Sequence, residues 1–241
     1  MKKLSILLGA ILISLVSSSA LAVRIDINSA NGSWENSVPA PGSNISIANG
    51  SSASDPDVIR WGVPVASGGS QSNYVFDSTV PPILSTEVPP TSPWLNLGEF
   101  THNNFPINAP VITSVELRLD LAMLVENVAM ISSFVYTFNH NETTNTSDPL
   151  ASRDIVTISA PSAGAFMVGN VWYTLELRFS TDGGQTQVNE FRTYENQANT
   201  ADVYGRFTSE NVPAPVPEPA TMLLLGSGLV GLAGLRKKFK K

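Results

Sequence analysis

The sequence predicts an all-β domain, an antiparallel β-sandwich of jelly-roll type, set between two terminal segments that stand outside the fold. Three observations carry this reading. From Val111 to Val125 the odd positions (Val111, Thr113, Val115, Leu117, Leu119, Leu121, Met123, Val125) are apolar except for Thr113, and the even ones include Ser114, Glu116, Arg118 and Asp120. A period of two over that length is a long strand with one buried face. From Val171 to Ser180 the pattern returns: Val171, Tyr173, Leu175, Leu177 and Phe179 alternate with Trp172, Thr174, Glu176, Arg178 and Ser180. The rest of the chain offers many short strand candidates between Gly, Pro, Asn and Ser clusters, and no long helical pattern outside the ends.

Residues 1–22 open with Lys2 and Lys3, continue through an apolar run from Leu4 to Val16, and end in Ala20-Leu21-Ala22. That is the charged, apolar, small-residue order of a secretory signal peptide, and it predicts a mature start at Val23. Residues 23–211 form the predicted ectodomain. Its strand candidates are Val23–Ile27, Ile45–Ile47, Asp57–Trp61, Tyr74–Phe76, Leu95–Phe100, Val111–Val125, Phe134–Phe138, Ile155–Ser159, Val171–Ser180, Val188–Thr193 and Val203–Thr208. Thr181-Asp182-Gly183-Gly184 supplies a turn with positive φ, so Val188–Thr193 is expected to return along Val171–Ser180 as a hairpin. Composition marks 28–56, 62–73, 77–93 and the polar tip 143–148 as loops.

Residues 212–219 (VPAPVPEP) are an extended Pro-rich spacer. Residues 220–241 are apolar or small through Leu235 and then basic: Arg236, Lys237, Lys238, Lys240 and Lys241. Sixteen helical residues span about 24 Å, a minimal crossing of a bilayer core of about 30 Å. The basic end is expected to stay cytoplasmic, which puts 23–217 outside the membrane.

Charge supports the same division. All six lysines lie in the end segments, whereas 23–217 holds seven arginines and 19 of the 20 acids, a formal charge of −12. A surface that acidic and without lysine excludes nucleic acid as a partner. The chain has no cysteine. Thiol catalysis, Cys-ligated metals and disulfide staples are therefore excluded, and the domain must rely on one apolar core.

The tail then resembles a known family. Val216-Pro217-Glu218-Pro219-Ala220-Thr221, an apolar run and Arg236-Lys237-Lys238 resemble the PEP-CTERM sorting signal, with Pro217, Glu218 and Pro219 as its motif. The resemblance implies recognition by an exosortase, a membrane-embedded cysteine protease of bacteria that make extracellular polysaccharide. It implies cleavage near the motif and transfer to the cell surface. Gly98-Glu99-Phe100-Thr101-His102-Asn103-Asn104-Phe105-Pro106-Ile107 is similar to the T-H-x-N-x-P-I signature of the "choice-of-anchor K" domain, with Arg60-Trp61-Gly62 and Val203-Tyr204-Gly205-Arg206-Phe207 in keeping. That resemblance covers 24–210 and implies a surface domain joined to an anchor, with no activity attached.

The signature residues Thr101, His102, Asn104, Pro106 and Ile107 are expected to be structural. Asn and Thr hold a polar corner ahead of the Val111 strand, and His102 braces it. His140, at a strand end, is expected to be the more exposed of the two histidines, and no spacing makes the pair a metal site. A Ser–His–Asp triad stays open, but the sequence lacks a Gly-x-Ser-x-Gly elbow. Asp55 with Asp57, and Asp26 with Asn28, offer oxygen ligands for calcium or belong to solvated loops. Neither pair matches an Asp-x-Asn-x-Asn-Gly loop. Trp34, Trp61 and Trp94 are open to two readings, a sugar platform or core packing. The Asn-x-Ser/Thr triplets at Asn31, Asn44, Asn49, Asn141 and Asn145 are read as coincidental. No catalytic, cofactor or metal residues are assigned, and no enzyme activity is expected. The expected partners are the exosortase and secretion machinery, the membrane through a transient C-terminal anchor, and extracellular polysaccharide.

Overall fold

The computed structural model describes residues 22–52, 54–79, 84–88 and 91–211. The predicted signal peptide, spacer and C-terminal span lie outside these residues. Among the described residues no helix is long and apolar enough to cross a membrane.

Among the described residues all regular structure is β. One six-stranded sheet has the order β14 (Glu190–Thr193), β11 (Asp154–Ile158), β10 (Val128–Asn141), β9 (Ser114–Val125), β1 (Val23–Val38) and β6 (Leu84–Val88). A seven-stranded sheet has the order β12 (Phe166–Val168), β13 (Val171–Ser180), β15 (Gln197–Asn211), β7 (Leu95–Asn104), β5 (Ser72–Ser78), β3 (Asp57–Trp61) and β2 (Ile45–Ala48). A two-stranded ribbon joins β4 (Val63–Pro64) to β8 (Ile107–Asn108). The pairings in all three are antiparallel.

The two large sheets enclose one apolar core. On β9, Val115, Leu117, Leu119, Leu121, Met123 and Val125 are buried, as the alternation requires. The phase breaks just upstream: Ile112 is buried and Thr113 is exposed, so the strand begins at Ser114 and not at Val111. Trp34 on β1 meets Tyr74 of β5 at 5.9 Å and Phe100 of β7 at 6.3 Å between ring centroids. Phe138 on β10 meets Phe100 at 5.4 Å and Phe179 of β13 at 5.7 Å. Tyr136 donates its hydroxyl to the Leu175 carbonyl across the core at 2.7 Å, so this buried phenol is satisfied.

Four sequence readings are corrected. Residues 28–38 are not loop. β1 runs on to Val38 because it pairs with β9 from Ile25↔Val125 to Val38↔Ser114, and backbone ladder bonds outweigh its Ser, Asn and Gly content. Gly32 is needed there, since a Cβ would lie 2.4 Å from the Phe76 ring. The strand at 134–138 extends to Val128–Asn141, closed onto β9 by Glu126-Asn127, both at positive φ (50° and 64°). Two such residues make the turn type that suits a two-residue hairpin. The hairpin after Val171–Ser180 lasts for one bridge, with Phe179 and Val188 exchanging backbone bonds at 2.7 and 2.9 Å. The chain then crosses to the other sheet, where β14 pairs with β11. The strand expected at Tyr74–Phe76 extends to Ser72–Ser78 as β5, and residues 84–88, within the expected loop 77–93, are β6.

Candidate functional site

The Thr101–Ile107 segment is not a corner. Thr101, His102, Asn103 and Asn104 are the last residues of β7, a central strand paired with β5 and β15 on either side. Strand alternation sends Phe100, His102 and Asn104 inward and Thr101 and Asn103 outward, where Asn103 donates to the Asn73 side chain at 2.8 Å. The turn comes one residue later. Ser72 Oγ accepts from Phe105 N at 3.1 Å and donates to the Phe105 carbonyl at 3.0 Å. The Pro106 carbonyl accepts from Val65 N at 3.1 Å.

Two segments far apart in sequence meet here. Ile107 pairs with Pro64 and packs over Gly62, where a Cβ would lie 2.4 Å from Ile107 Cδ1 and φ is +84°. Only glycine fits both constraints. Beside it the Trp61 ring stacks on His102 at 5.6 Å and 27°.

Around this stack lies a buried polar cluster. His102 is 0% exposed and its Nδ1 is hydrogen-bonded to Thr193 Oγ1 at 2.8 Å. Asn199 Nδ2 donates to the His102 carbonyl at 3.3 Å. His140, the last inward residue of β10, is 6% exposed, more than His102 but buried as well. Its ring lies 5.4 Å from that of His102. His140 Nδ1 makes a short hydrogen bond to the Tyr74 hydroxyl, and its Nε2 lies 3.1 Å from Glu142 Oε2. Asp154, at the start of β11, is 0% exposed and accepts from Thr143 N at 2.8 Å through Oδ1. Asn104 Nδ2 donates to Glu195 Oε1 at 3.1 Å. Glu195 also lines a cleft of about 810 Å³ with Pro106, Asn145, Ser152 and Tyr194, and is the member of the cluster that reaches it.

The electrostatics follow from burial. Desolvation, then the neighbouring His140, hold His102 well below the ordinary histidine value, so it is neutral. Desolvation pushes Asp154 up to about 7 against the Thr143 hydrogen bond, and Glu142 and Glu195 push it further. Glu195 is raised by the same causes, burial first. Tyr74 is raised well above its usual value and stays a phenol. The oxygens Asp154 Oδ2, Glu195 Oε2 and Asn104 Oδ1 are buried without hydrogen-bond partners, as is His102 Nε2. Glu142, Asp154 and Glu195 were not singled out in the sequence. They lie in polar stretches and reach one place only through β10, β11 and β14.

The other sequence candidates separate cleanly. Trp34 and Trp61 are 1% and 0% exposed, so they pack the core and form no sugar platform. Trp94 is half-buried beneath the Arg206 guanidinium, 4.5 Å from its ring centroid. Asp55 is exposed and held below its usual value by Ser51 and Ser52. Asp26 is bonded by Ser85 and Arg24. Asp57 is no solvated loop residue. It is 2% exposed, accepts from Gly50 N at 2.9 Å, and is pushed up to about 6 by burial, with Asp77 adding to the shift.

Asp57 therefore carries a pH-dependent penalty. The folded chain binds its proton more tightly than the unfolded chain between about pH 4 and 6, so its contribution falls as pH rises through that window and stays lost above it. Asp57→Asn keeps an acceptor for Gly50 N. It is expected to match wild type near pH 4 and to be about 1 kcal/mol more stable at pH 7.5. Urea titrations at the two pH values measure this. Equal differences at both would contradict it.

The terminal signals lie beyond the described residues, Pro217, Glu218 and Pro219 among them. No curated protein matches the chain. Residues 215–238 match the PEP-CTERM protein-sorting motif, and this marks the chain as an exported, exosortase-sorted extracellular protein with exosortase as its processing partner.

Proposed function

We propose that the chain is a non-enzymatic structural or adhesive component of the bacterial cell surface or extracellular matrix, associated with extracellular polysaccharide. The sorting motif at 215–238 is the observation that carries this reading. The acidic, lysine-free ectodomain is consistent with a solvated surface that stays clear of anionic partners. Within this reading residues 1–22 are removed as a signal peptide, and residues 220–241 anchor the chain in the inner membrane until the exosortase acts. The ectodomain is read as a choice-of-anchor K-like β-sandwich. In support, Arg60-Trp61-Gly62 and the Thr101–Ile107 signature pack directly on one another through Gly62–Ile107 and Trp61–His102. Val203–Phe207 lies on β15 beside Gly98 and Leu95 of β7.

A glycan-binding module is the second reading. The cleft beside Glu195 favours it, because an exposed Tyr194 sits there among the amides of Asn145, Asn196 and Gln197. An aromatic face ringed by amides suits a sugar hydroxyl surface.

Intact mass of the extracellular product tests the leading reading. The mature chain is expected to start at Val23 and end near Glu218. Recovery of Phe239 or Lys240 in the surface form would sink the processing claim. Polysaccharide digestion is expected to release the protein from cells, and full retention after digestion would refute the association.

A further inference from the structure

We propose that His140, Glu142 and Asp154 form a binding site for one divalent transition-metal ion, of the Zn²⁺ or Mn²⁺ type, at the junction of β10 and β11. The site goes beyond the sorting and matrix reading and does not depend on it.

Geometry comes first. One ligand atom from each of the three residues lies within 4.8 Å of those of the other two, a spread that a single ion at ordinary bond lengths of about 2.0–2.2 Å can span. Each residue has its own place: His140 is the last inward residue of β10, Glu142 lies just past the end of that strand, and Asp154 starts β11, which pairs with β10 at His140↔Val156. His140 is oriented from behind by the Tyr74 hydroxyl on its Nδ1. With Nδ1–H donated to Tyr74, Nε2 presents a lone pair toward Glu142, which is the usual support for a metal-bound imidazole.

The second observation is independent of the cluster's acidity. Asp154 is fully buried with Oδ2 unpartnered, and Asn104, also fully buried, has Oδ1 unpartnered beside Glu195, whose Oε2 is unpartnered too. Three acceptor oxygens are thus unpaired, and the Thr143 hydroxyl, itself buried without a partner, can give a hydrogen to only one of them, so the site is short of positive charge or donated hydrogen. Among the described residues no arginine makes an ion pair with Glu142, Asp154 or Glu195. Arg153, next in sequence, lies over the Tyr194 ring and donates to the Leu150 carbonyl instead. Buried charge without a partner is costly. A cation bound by His140, Glu142 and Asp154 removes that cost. One imidazole with two carboxylates is the donor set of Zn²⁺ or Mn²⁺, whereas Ca²⁺ takes six to eight oxygens.

The test uses the full chain, freed of metal with a chelator and titrated with Zn²⁺, Mn²⁺ and Ca²⁺ separately by calorimetry and thermal melting. Zn²⁺ or Mn²⁺ is expected to bind one per chain and to raise the melting temperature. Asp154→Asn keeps the Thr143 bond, and Glu142→Gln changes a partly exposed side chain, so at least one variant should fold. Each is expected to weaken binding on the order of a hundredfold while the metal-free protein melts no lower than wild type. His140→Gln is expected to lose a similar factor. Absence of one-to-one binding by Zn²⁺ and Mn²⁺, binding of Ca²⁺ alone, or unchanged affinity in both carboxylate variants would each overturn the proposal.

Discussion

Trp34→Ala is expected to lower stability by about 4 kcal/mol, in the range seen when a buried Trp or Phe is cut to Ala. Trp34 sits on β1 of one sheet, yet its ring touches Tyr74 and Phe100 of the other and Phe138 of its own at 5.3 Å. Its Nε1 donates to the Asp57 carbonyl on β3 at 3.0 Å, so one side chain joins the sheets by both packing and a hydrogen bond. Truncation leaves a cavity that two hydrogen-bonded sheets cannot close, and it leaves the Asp57 carbonyl without that donor. For a domain of this size the melting temperature should fall by about 12 °C. Trp34→Phe should lose less, since most of the ring contacts survive. A loss under about 1 kcal/mol for the alanine variant would show that Trp34 is not a core residue and would reopen its reading as a sugar-facing ring.

His102→Ala is expected to cost about 3 kcal/mol, which corresponds to a fall of about 10 °C. The imidazole fills space between Trp61, at 5.6 Å, and Tyr74, at 4.9 Å, and holds Thr193 at the end of β14. Removing it opens a cavity and leaves the fully buried Thr193 hydroxyl unpaired. His102→Asn can restore a hydrogen bond near the Nδ1 position and should recover part of the loss. Differential scanning calorimetry of the three proteins checks both statements. An unchanged melting temperature in His102→Ala, with binding to polysaccharide abolished, would make His102 a binding residue and not a brace.

The histidines show where sequence reading and structure part. His102 reads as structural because apolar neighbours flank it, and in the fold it is fully buried. Its placement in a corner was wrong. Asn and Thr are common in turns, but a strand with neighbours on both sides satisfies the backbone of Thr101–Asn104 more completely than a turn does. His140 reads as the more exposed of the two because Asn139, Asn141 and Glu142 surround it; it is so by 6% against 0%, yet it too is buried. In the strand only alternate residues face inward. Asn139 and Asn141 point to solvent while His140 points to the core.

What the sequence determined by itself is local. Alternation on 115–125 and 171–180 names the buried face of each strand, because side-chain direction in a strand depends only on neighbouring residues. The Thr-Asp-Gly-Gly turn, the two terminal signals and the charge division are likewise read within short windows. Only the tertiary structure decided which strands are partners. Composition hid β1 beyond Ile27, and turn chemistry could not reveal that the chain leaves β13 after one bridge to put β14 against β11. That crossover brings Thr193 to His102 and Glu195 to Asn104, each 91 residues away. The polar cluster therefore exists only once the sheet order is set. Pairing energy comes from backbone bonds that any sequence can make, so register is fixed by the packing of both sheets together and not by any one segment.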